Sequence, residues 1–332
     1  MRPGIIMLCC IVLSLSLHAQ QAPIAIVSTN GATKLVNTLD EAAQQAHDND
    51  IIYLPAGNLA GQSIVHFTKR VSVIGVGHHP DSASVGGRTY ITGNIGFYNP
   101  GAEGSTLDGV YVTGFVYLSS NCRVVRTNAQ SLFVSSGWTG DNITIEECIV
   151  KDFYANQAAI TNSRVRNSVI TNVFTANVNT TVFENCIFLS SGAYPIEQAN
   201  QCTFKNCIFP RITDWGTGQS NSFFYNNIMA SSQLPILNNA GNAARNILGQ
   251  TASETFVAQA GGDFSYVQNY RLKAGSSGIN AGTDGKDIGI YGGTSPYKDG
   301  AVPPNPSVRS REIEAETTPA GTLKVKFNVR VN

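Results

Sequence analysis

The feature that most constrains this chain is a short phrase that returns about every twenty residues between positions 142 and 248. It reads IEECIV at 145–150, VRNSVI at 165–170, FENCIF at 183–188, FKNCIF at 204–209 and FYNNIM at 224–229, with a weaker ARNIL at 244–248. Its fourth residue falls at 148, 168, 186, 207, 227 and 246, giving steps of 20, 18, 21, 20 and 19. A period of this length without a helical pattern points to a solenoid of β-coils. The apolar positions are β-branched or aromatic, as strands favour. The central Asn suits a sharp bend, because its side chain tolerates positive φ.

Stacking of coils at about 4.8 Å, the strand spacing of a sheet, turns the repeat into columns. One is Ile149, Val169, Ile187, Ile208, Ile228 and Ile247; the next is Val150, Ile170, Phe188, Phe209, Met229 and Leu248. A third holds Asn167, Asn185, Asn206 and Asn226, with Glu147 one coil earlier. Amides in register are expected to hydrogen-bond along their column. Glu146, Arg166, Glu184 and Lys205 alternate in charge and form an expected cross-strand ladder with a structural role. Cys148, Ser168, Cys186 and Cys207 predict a buried thiol column, with a Cys186–Cys207 disulfide left open because it depends on side-chain direction.

The chain has 332 residues, a formal net charge of zero and 13% charged residues, which argues against nucleic acid or an anionic membrane as partner. Residues 1–19 read as a secretory signal: Arg2, an apolar run over 5–17, then Leu17-His18-Ala19. That run is too short to span a membrane. Cys9 and Cys10 sit within it without the small preceding residue of a lipoprotein signal, so no lipid anchor is expected. Export to the cell surface or the medium follows. Five cysteines then remain, Cys122, Cys148, Cys186, Cys202 and Cys207, and an odd count leaves at least one thiol unpaired.

Thr38-Leu39-Asp40-Glu41 is a capping box. It predicts a helix from Leu39 to about His47, with Leu39, Ala42, Ala43 and Ala46 on one face. A strand over 51–54 follows. Such a helix would cover the open end of the solenoid, where core and strand edges are otherwise exposed. The run TLDEAAQQAHDNDIIYLPAG at 38–57, followed by VSVIGVG at 71–77, resembles the opening of proteins with the pectin-lyase-like, right-handed parallel β-helix fold. The resemblance extends from about Thr38 to Gly293. It implies an all-β, right-handed parallel β-helix, placed over 20–300 after the signal peptide at 1–19 and with its capping helix at about 38–47; residues 301–332 read separately as a linker with a β-ribbon. It does not select an activity, because the superfamily includes lyases, hydrolases, esterases and adhesins.

Looser coils are expected at 90–95, 107–112 and 122–125. His78 and His79 lie in a loop rich in Gly, Pro and Asp, where solvation is expected and no third metal ligand has recognisable spacing. The segment YRLKAGSSGINAGTDGKDIGIYGG at 270–293 resembles the closing segment of secreted bacterial β-helix proteins of unknown function. Its Asp284 and Asp287 read as turn caps. VPPNP at 302–306 is a stiff linker. Beyond it, Leu323, Val325, Phe327, Val329 and Val331 alternate with polar residues, and 308–316 offers a partner strand. Such a ribbon is marginal alone and is expected to pack on the last coils or on another protein.

Trp138, Tyr154, Phe174, Tyr194 and Trp215 recur once per coil, at steps of 16, 20, 20 and 21. Their flanks are polar or glycine-rich. A row about 19 Å long would suit several units of a polysaccharide, with Trp138, Tyr154, Tyr194 and Trp215 as the sugar-binding residues. Interior aromatic packing is the competing reading, equally weighted, and Phe174 looks buried. Near the row lie Lys151, Asp152, Glu197, Arg211 and Asp214. Lyases of the resembled fold use an Arg or Lys base with calcium on carboxylates, and its hydrolases use paired Asp residues. The coils show no Asp-Asp pair and few carboxylates for calcium, so no cofactor is expected. Asp152, Arg211 and Asp214 are the catalytic candidates. The sequence leaves open three functions: a non-catalytic binder of an extended glycan or a surface partner, a lyase or hydrolase of an acidic polysaccharide such as pectin, and a structural spacer or adhesin stalk.

Overall fold

The computed structural model describes residues 22–330 except 82–85, 99, 156–157, 172–177, 191–195, 197–198, 213–214, 216–220, 235–241, 305–306, 314–316 and 318–320. The chain winds into a parallel β-solenoid of about 8 turns. The first sheet starts with the antiparallel strands Thr33–Val36 and Ile24–Val27. It continues from Asp50–Tyr53 as parallel strands to Asn242–Ala244. The second sheet runs from Gly57–Phe67 to Ile228–Met229, and a short third sheet runs from Gly140–Asp141 to Ala199–Asn200. Ile187 pairs with Ile208 and Val169 with Ile187, as the repeat requires.

Each repeated phrase turns out to be a corner joining the first sheet to the second. Its third residue is left-handed in every coil: Glu147 (φ 54), Asn167 (47), Asn185 (55), Asn206 (56), Asn226 (51) and Arg245 (56). A left-handed residue costs least as Gly, Asn or Asp, which explains the Asn column. The corner N–H groups of Asn167 and Asn185 donate to Glu184 O and Lys205 O of the next coil, at 3.0 Å each. A second left-handed corner at Asn121, Asn142, Asn162, Thr180, Gln201 and Asn221 opens the first-sheet strands.

Phe183, Phe204 and Phe224 stack inside the solenoid with centroids 4.8 and 4.6 Å apart, and Phe188 stacks on Phe209 at 4.8 Å. All five cysteines are free and buried, so the disulfide left open between Cys186 and Cys207 is absent. Their thiols donate to backbone carbonyls, as Cys148 does to Glu146 O at 3.2 Å. Burial pushes the Cys148 and Cys202 thiols up to about 12.

The amide ladder is displaced from its expected column. The corner Asn side chains do not bond one another; they point outward and bond residues 281–292. Asn167 Nδ2 donates to Ile290 O and Gly292 O at 2.9 Å each, Asn185 Nδ2 to Gly289 O at 3.1 Å, and Asn226 Nδ2 to Ala281 O at 2.8 Å. Side-chain bonds along a column occur one residue later, where Asn227 Nδ2 donates to Asn246 Oδ1 at 3.0 Å. The isoleucine column likewise faces outward. Val169, Ile187, Ile208 and Ile228 form a second core with Phe256, Tyr270, Ile288, Ile290 and Tyr297. Residues 251–301 are therefore a strap fastened along the outside of the coils. The charge ladder is present as expected, with Glu146–Arg166 and Lys205–Glu184 (2.8 Å) ion pairs.

The helix spans Leu39–Gln45, ending about two residues before the expected stop, and its Thr38 cap accepts from Glu41 N at 3.1 Å. Leu39, Ala42, Ala43 and Ala46 are buried, and the helix lies on strand Gly57–Phe67. Near the other end, Asp284 and Asp287 accept turn N–H groups from Lys286 and Asn280, as read. Strand Ser307–Ile313 pairs antiparallel with Val325–Arg330 to give the ribbon, which leaves Leu323 and Val325 exposed. Residues 1–21, including the expected signal, lie outside the described residues. Among the described residues no helix is long and apolar enough to cross a membrane.

Candidate functional site on the outer face of the second sheet

Register carries aromatic side chains onto the outside of the second sheet. His66 pairs with Gly96, Gly96 with Tyr117, Tyr117 with Phe133, and Phe133 with Tyr154. These five positions form one line across five successive coils, about 19 Å long at the strand spacing. The neighbouring positions Phe153, Leu132 and Val116 point inward and are buried, because strand side chains alternate between faces. Phe133 lies 5.5 Å from Tyr117 and 4.8 Å from Tyr154 between ring centroids.

The gap in the line at Gly96 is filled from outside. Tyr98 leans back over it, and a Cβ at Gly96 would sit 2.2 Å from Tyr98 Cε2. The Tyr98 ring meets His66 at 4.4 Å and Trp138, edge-on, also at 4.4 Å. Trp138 reaches Tyr117 at 6.4 Å. Tyr98, Phe115, Tyr117, Phe133, Trp138 and Tyr154 are each half-buried and His66 is exposed. An apolar patch this contiguous on an outer face marks a contact surface more often than chance exposure.

The structure redistributes the expected aromatic row. Trp138 and Tyr154 belong to the surface patch, but Trp215 does not. Only 4% exposed, Trp215 lies against Phe209 (5.1 Å) and Phe224 (5.7 Å) and donates Nε1–H to Gln233 O at 3.2 Å. The even spacing of Trp215 came from coil length, while its side chain turned into the core. Tyr194 and Phe174 lie outside the described residues, as do Asp214 and Glu197. Asp152 stands on the same strand as Tyr154 and accepts from Ser131 Oγ at 3.3 Å. Its charge, after burial, raises the Tyr154 phenol above its ordinary value. Arg211 follows strand Ile208–Phe209, three coils from Asp152 in the sheet order, or about 14 Å. The structure therefore does not unite Asp152 and Arg211 in one acid–base centre.

Beside the patch on the same strands lies a cleft of about 250 Å³ lined by Arg88, Tyr111, Asn128, Gln130, Lys151 and Tyr266, among others. Sequence spacing did not reveal it, because Tyr266 comes from the strap, 138 residues beyond Asn128. Arg88 lies 4.1 Å above the Tyr111 ring and 4.8 Å from that of Tyr90, and those two rings stack at 5.0 Å. Asn128 Nδ2 donates to Tyr266 Oη at 2.8 Å, and Tyr266 Oη lies 2.9 Å from His78 Nδ1. His78, expected in a solvated loop, is fully buried. Burial, with His79 and Arg88 nearby, holds its pKa down at about 3, and burial pushes Tyr266 up to about 12. Both are neutral at pH 7, so this pair pins the strap to the early coils. Among the described residues no three His, Cys, Asp or Glu side chains are grouped to hold a metal.

Compared with protein-family models, with curated proteins and with solved structures, the chain has no match.

Proposed function

We propose that the outer face of the second sheet binds an extended glycan, and that the protein is an exported, surface-associated or extracellular binding protein of the pectin-lyase-like type. The observation that carries this reading is the line of half-buried rings at Tyr117, Phe133 and Tyr154, joined by Tyr98 and Trp138. Sugar rings present apolar C–H faces to aromatic side chains, and a polymer matches a surface about 19 Å long better than a monomer does. The adjoining cleft, with Asn128, Gln130 and Lys151, supplies hydrogen-bonding groups for hydroxyls at the edge of the patch.

A second reading, a lyase or hydrolase of an acidic polysaccharide, draws on one observation: Arg88 and Lys151 line the cleft beside Tyr266. Binding is favoured because an acid–base pair must lie within hydrogen-bond reach of the reacting atoms, and Asp152 and Arg211 stand three coils apart, about 14 Å.

The test is a panel of neutral and acidic polysaccharides, assayed for retention of the protein on insoluble glycan, for new reducing ends and for unsaturated products. The binding reading expects retention without product. Truncating a buried aromatic at a contact costs about 1–2 kcal/mol, so Tyr117→Ala and Tyr154→Ala are expected to weaken retention about tenfold. Product formation would move the protein to the second reading; neither retention nor product with any glycan would remove both.

A further inference from the structure

The strap carries a depression of its own, of about 270 Å³, separate from the coil face. Its apolar wall is formed by Phe264, Tyr266 and Tyr291, and Tyr270 and Tyr297 lie behind it in the strap core. Arg271 and Asp299 stand at the rim as an ion pair of 2.7 Å, with side chains 52% and 62% exposed. Arg271 also lies 3.9 Å over the Tyr291 ring, and Tyr291 Oη donates to Asp299 Oδ1 at 2.7 Å.

The hydrogen-bonding capacity left around this wall is specific. Asp81 N–H donates to His79 Nδ1 at 3.1 Å, which leaves Nε2 as the remaining hydrogen-bonding atom of this lining residue. Asn269 Oδ1 accepts from Arg271 N at 3.0 Å, leaving its amide NH₂ as two donors. Arg271 places one N–H on Asp299 and retains others. Each Asp299 oxygen accepts one bond in these contacts and has a second lone pair. Donors and acceptors are thus both present beside the aromatic wall, and the charges of Arg271 and Asp299 offset each other.

We propose that this depression is a binding site for a single neutral sugar ring, with Asp299, Arg271, Asn269 and His79 taking the ring hydroxyls and the aromatic wall taking its C–H face. A hydroxyl both donates and accepts, so it fits a rim of mixed polarity better than an ion does. The volume falls just below the 300–1,000 Å³ or so of drug-sized sites, which limits the occupant to one ring. The site is independent of the glycan face proposed above, since it shares with the neighbouring cleft only the Phe264–Tyr266 wall and uses none of the patch residues.

The test is saturation-transfer NMR on the full chain with methyl glycosides of glucose, galactose, mannose and N-acetylglucosamine. At least one glycoside is expected to receive saturation, and Arg271→Met and Asp299→Asn are each expected to weaken its binding at least tenfold. Tyr154→Ala is expected to leave it unchanged while reducing retention on polymer. Thermal melting and the hydrogen exchange of residues 281–292 report whether a rim variant has loosened the strap. No transfer to any glycoside at millimolar concentration, or binding equal to wild type in both rim variants, overturns the proposal. Binding lost in Tyr154→Ala and retained in the rim variants would place the sugar on the coil face and overturn it equally.

Discussion

Replacing Asn167 by Gly tests how the strap is held. Asn167 is 3% exposed and left-handed, with φ of 47. Its amide donates to two strap carbonyls, Ile290 O and Gly292 O, at 2.9 Å each. Glycine keeps the backbone geometry and deletes both bonds. Each orphaned buried acceptor costs roughly 1–3 kcal/mol, so the strap is expected to lose about 2–4 kcal/mol once partial rehydration is included. Glycine's unfolded-state entropy adds roughly 0.5–1 kcal/mol. Asn49→Gly isolates that term, because Asn49 is exposed with φ of 70. The readout is local: Gly289 N–H donates to Asn206 O and Gly292 N–H to Gly289 O, at 2.9 Å each. Their hydrogen-exchange protection is expected to fall roughly 30- to 700-fold, at a factor of ten per 1.4 kcal/mol or so, with coil amides little affected. Asn167→Ala is expected to cost about 1–2 kcal/mol more, the penalty of a left-handed residue bearing a Cβ. Unchanged protection at Gly289 and Gly292 in Asn167→Gly, or a loss no larger than in Asn49→Gly, would refute the reasoning.

Four further outcomes follow from the same structure. Phe204→Ala removes the middle ring of the Phe183–Phe204–Phe224 stack, fully buried, and is expected to cost about 3–5 kcal/mol in urea unfolding. Gly292→Ala would place a Cβ 1.8 Å from Asp287 O and 2.7 Å from Asn185 Nδ2, so proteolysis within residues 281–293 is expected to accelerate strongly. The five cysteines from Cys122 to Cys207 are buried and are expected to react with a thiol reagent at pH 8 only after denaturation. Burial raises both Asp108 and Glu147 above their ordinary values. A carboxyl raised on folding favours the native state most below its ordinary pKa and loses that contribution as pH rises through the raised value. Glu147→Asn, which installs the residue used at later corners, is therefore expected to raise the melting temperature at pH 7, with the gain shrinking as pH falls through the carboxylate range.

Much of the solenoid was legible because its period is local. Successive coils repeat the same three decisions: an inward aromatic such as Phe204, a left-handed Asn206 and an outward Ile208. The second corner was equally legible in Asn121, Asn142, Asn162 and Asn221, each followed by a small or apolar residue, but it lies outside the repeated phrase. What spacing could not give was direction. Ile187 and Phe188 are adjacent and both apolar, yet one faces the strap and the other the interior. The destination of the Asn amides depended on the strap, a long-range contact that no short period records. Trp215 matched Trp138 in spacing but not in face, because a period of about twenty residues records coil length and not the direction of a side chain. The surface patch was not legible for a related reason: Tyr98, Tyr117 and Phe133 lie in the looser early coils, where Gly96 interrupts the line that joins them.

Hydroxyl-radical footprinting with and without the retained glycan tests the central functional claim most directly. Oxidation of Tyr98, Tyr117, Phe133, Trp138 and Tyr154 is expected to fall together when glycan is bound, while Tyr53, 38% exposed on the first sheet, keeps its rate. Protection at Tyr53 or elsewhere with the five patch residues unchanged would contradict the assignment of the second sheet's outer face as the binding surface.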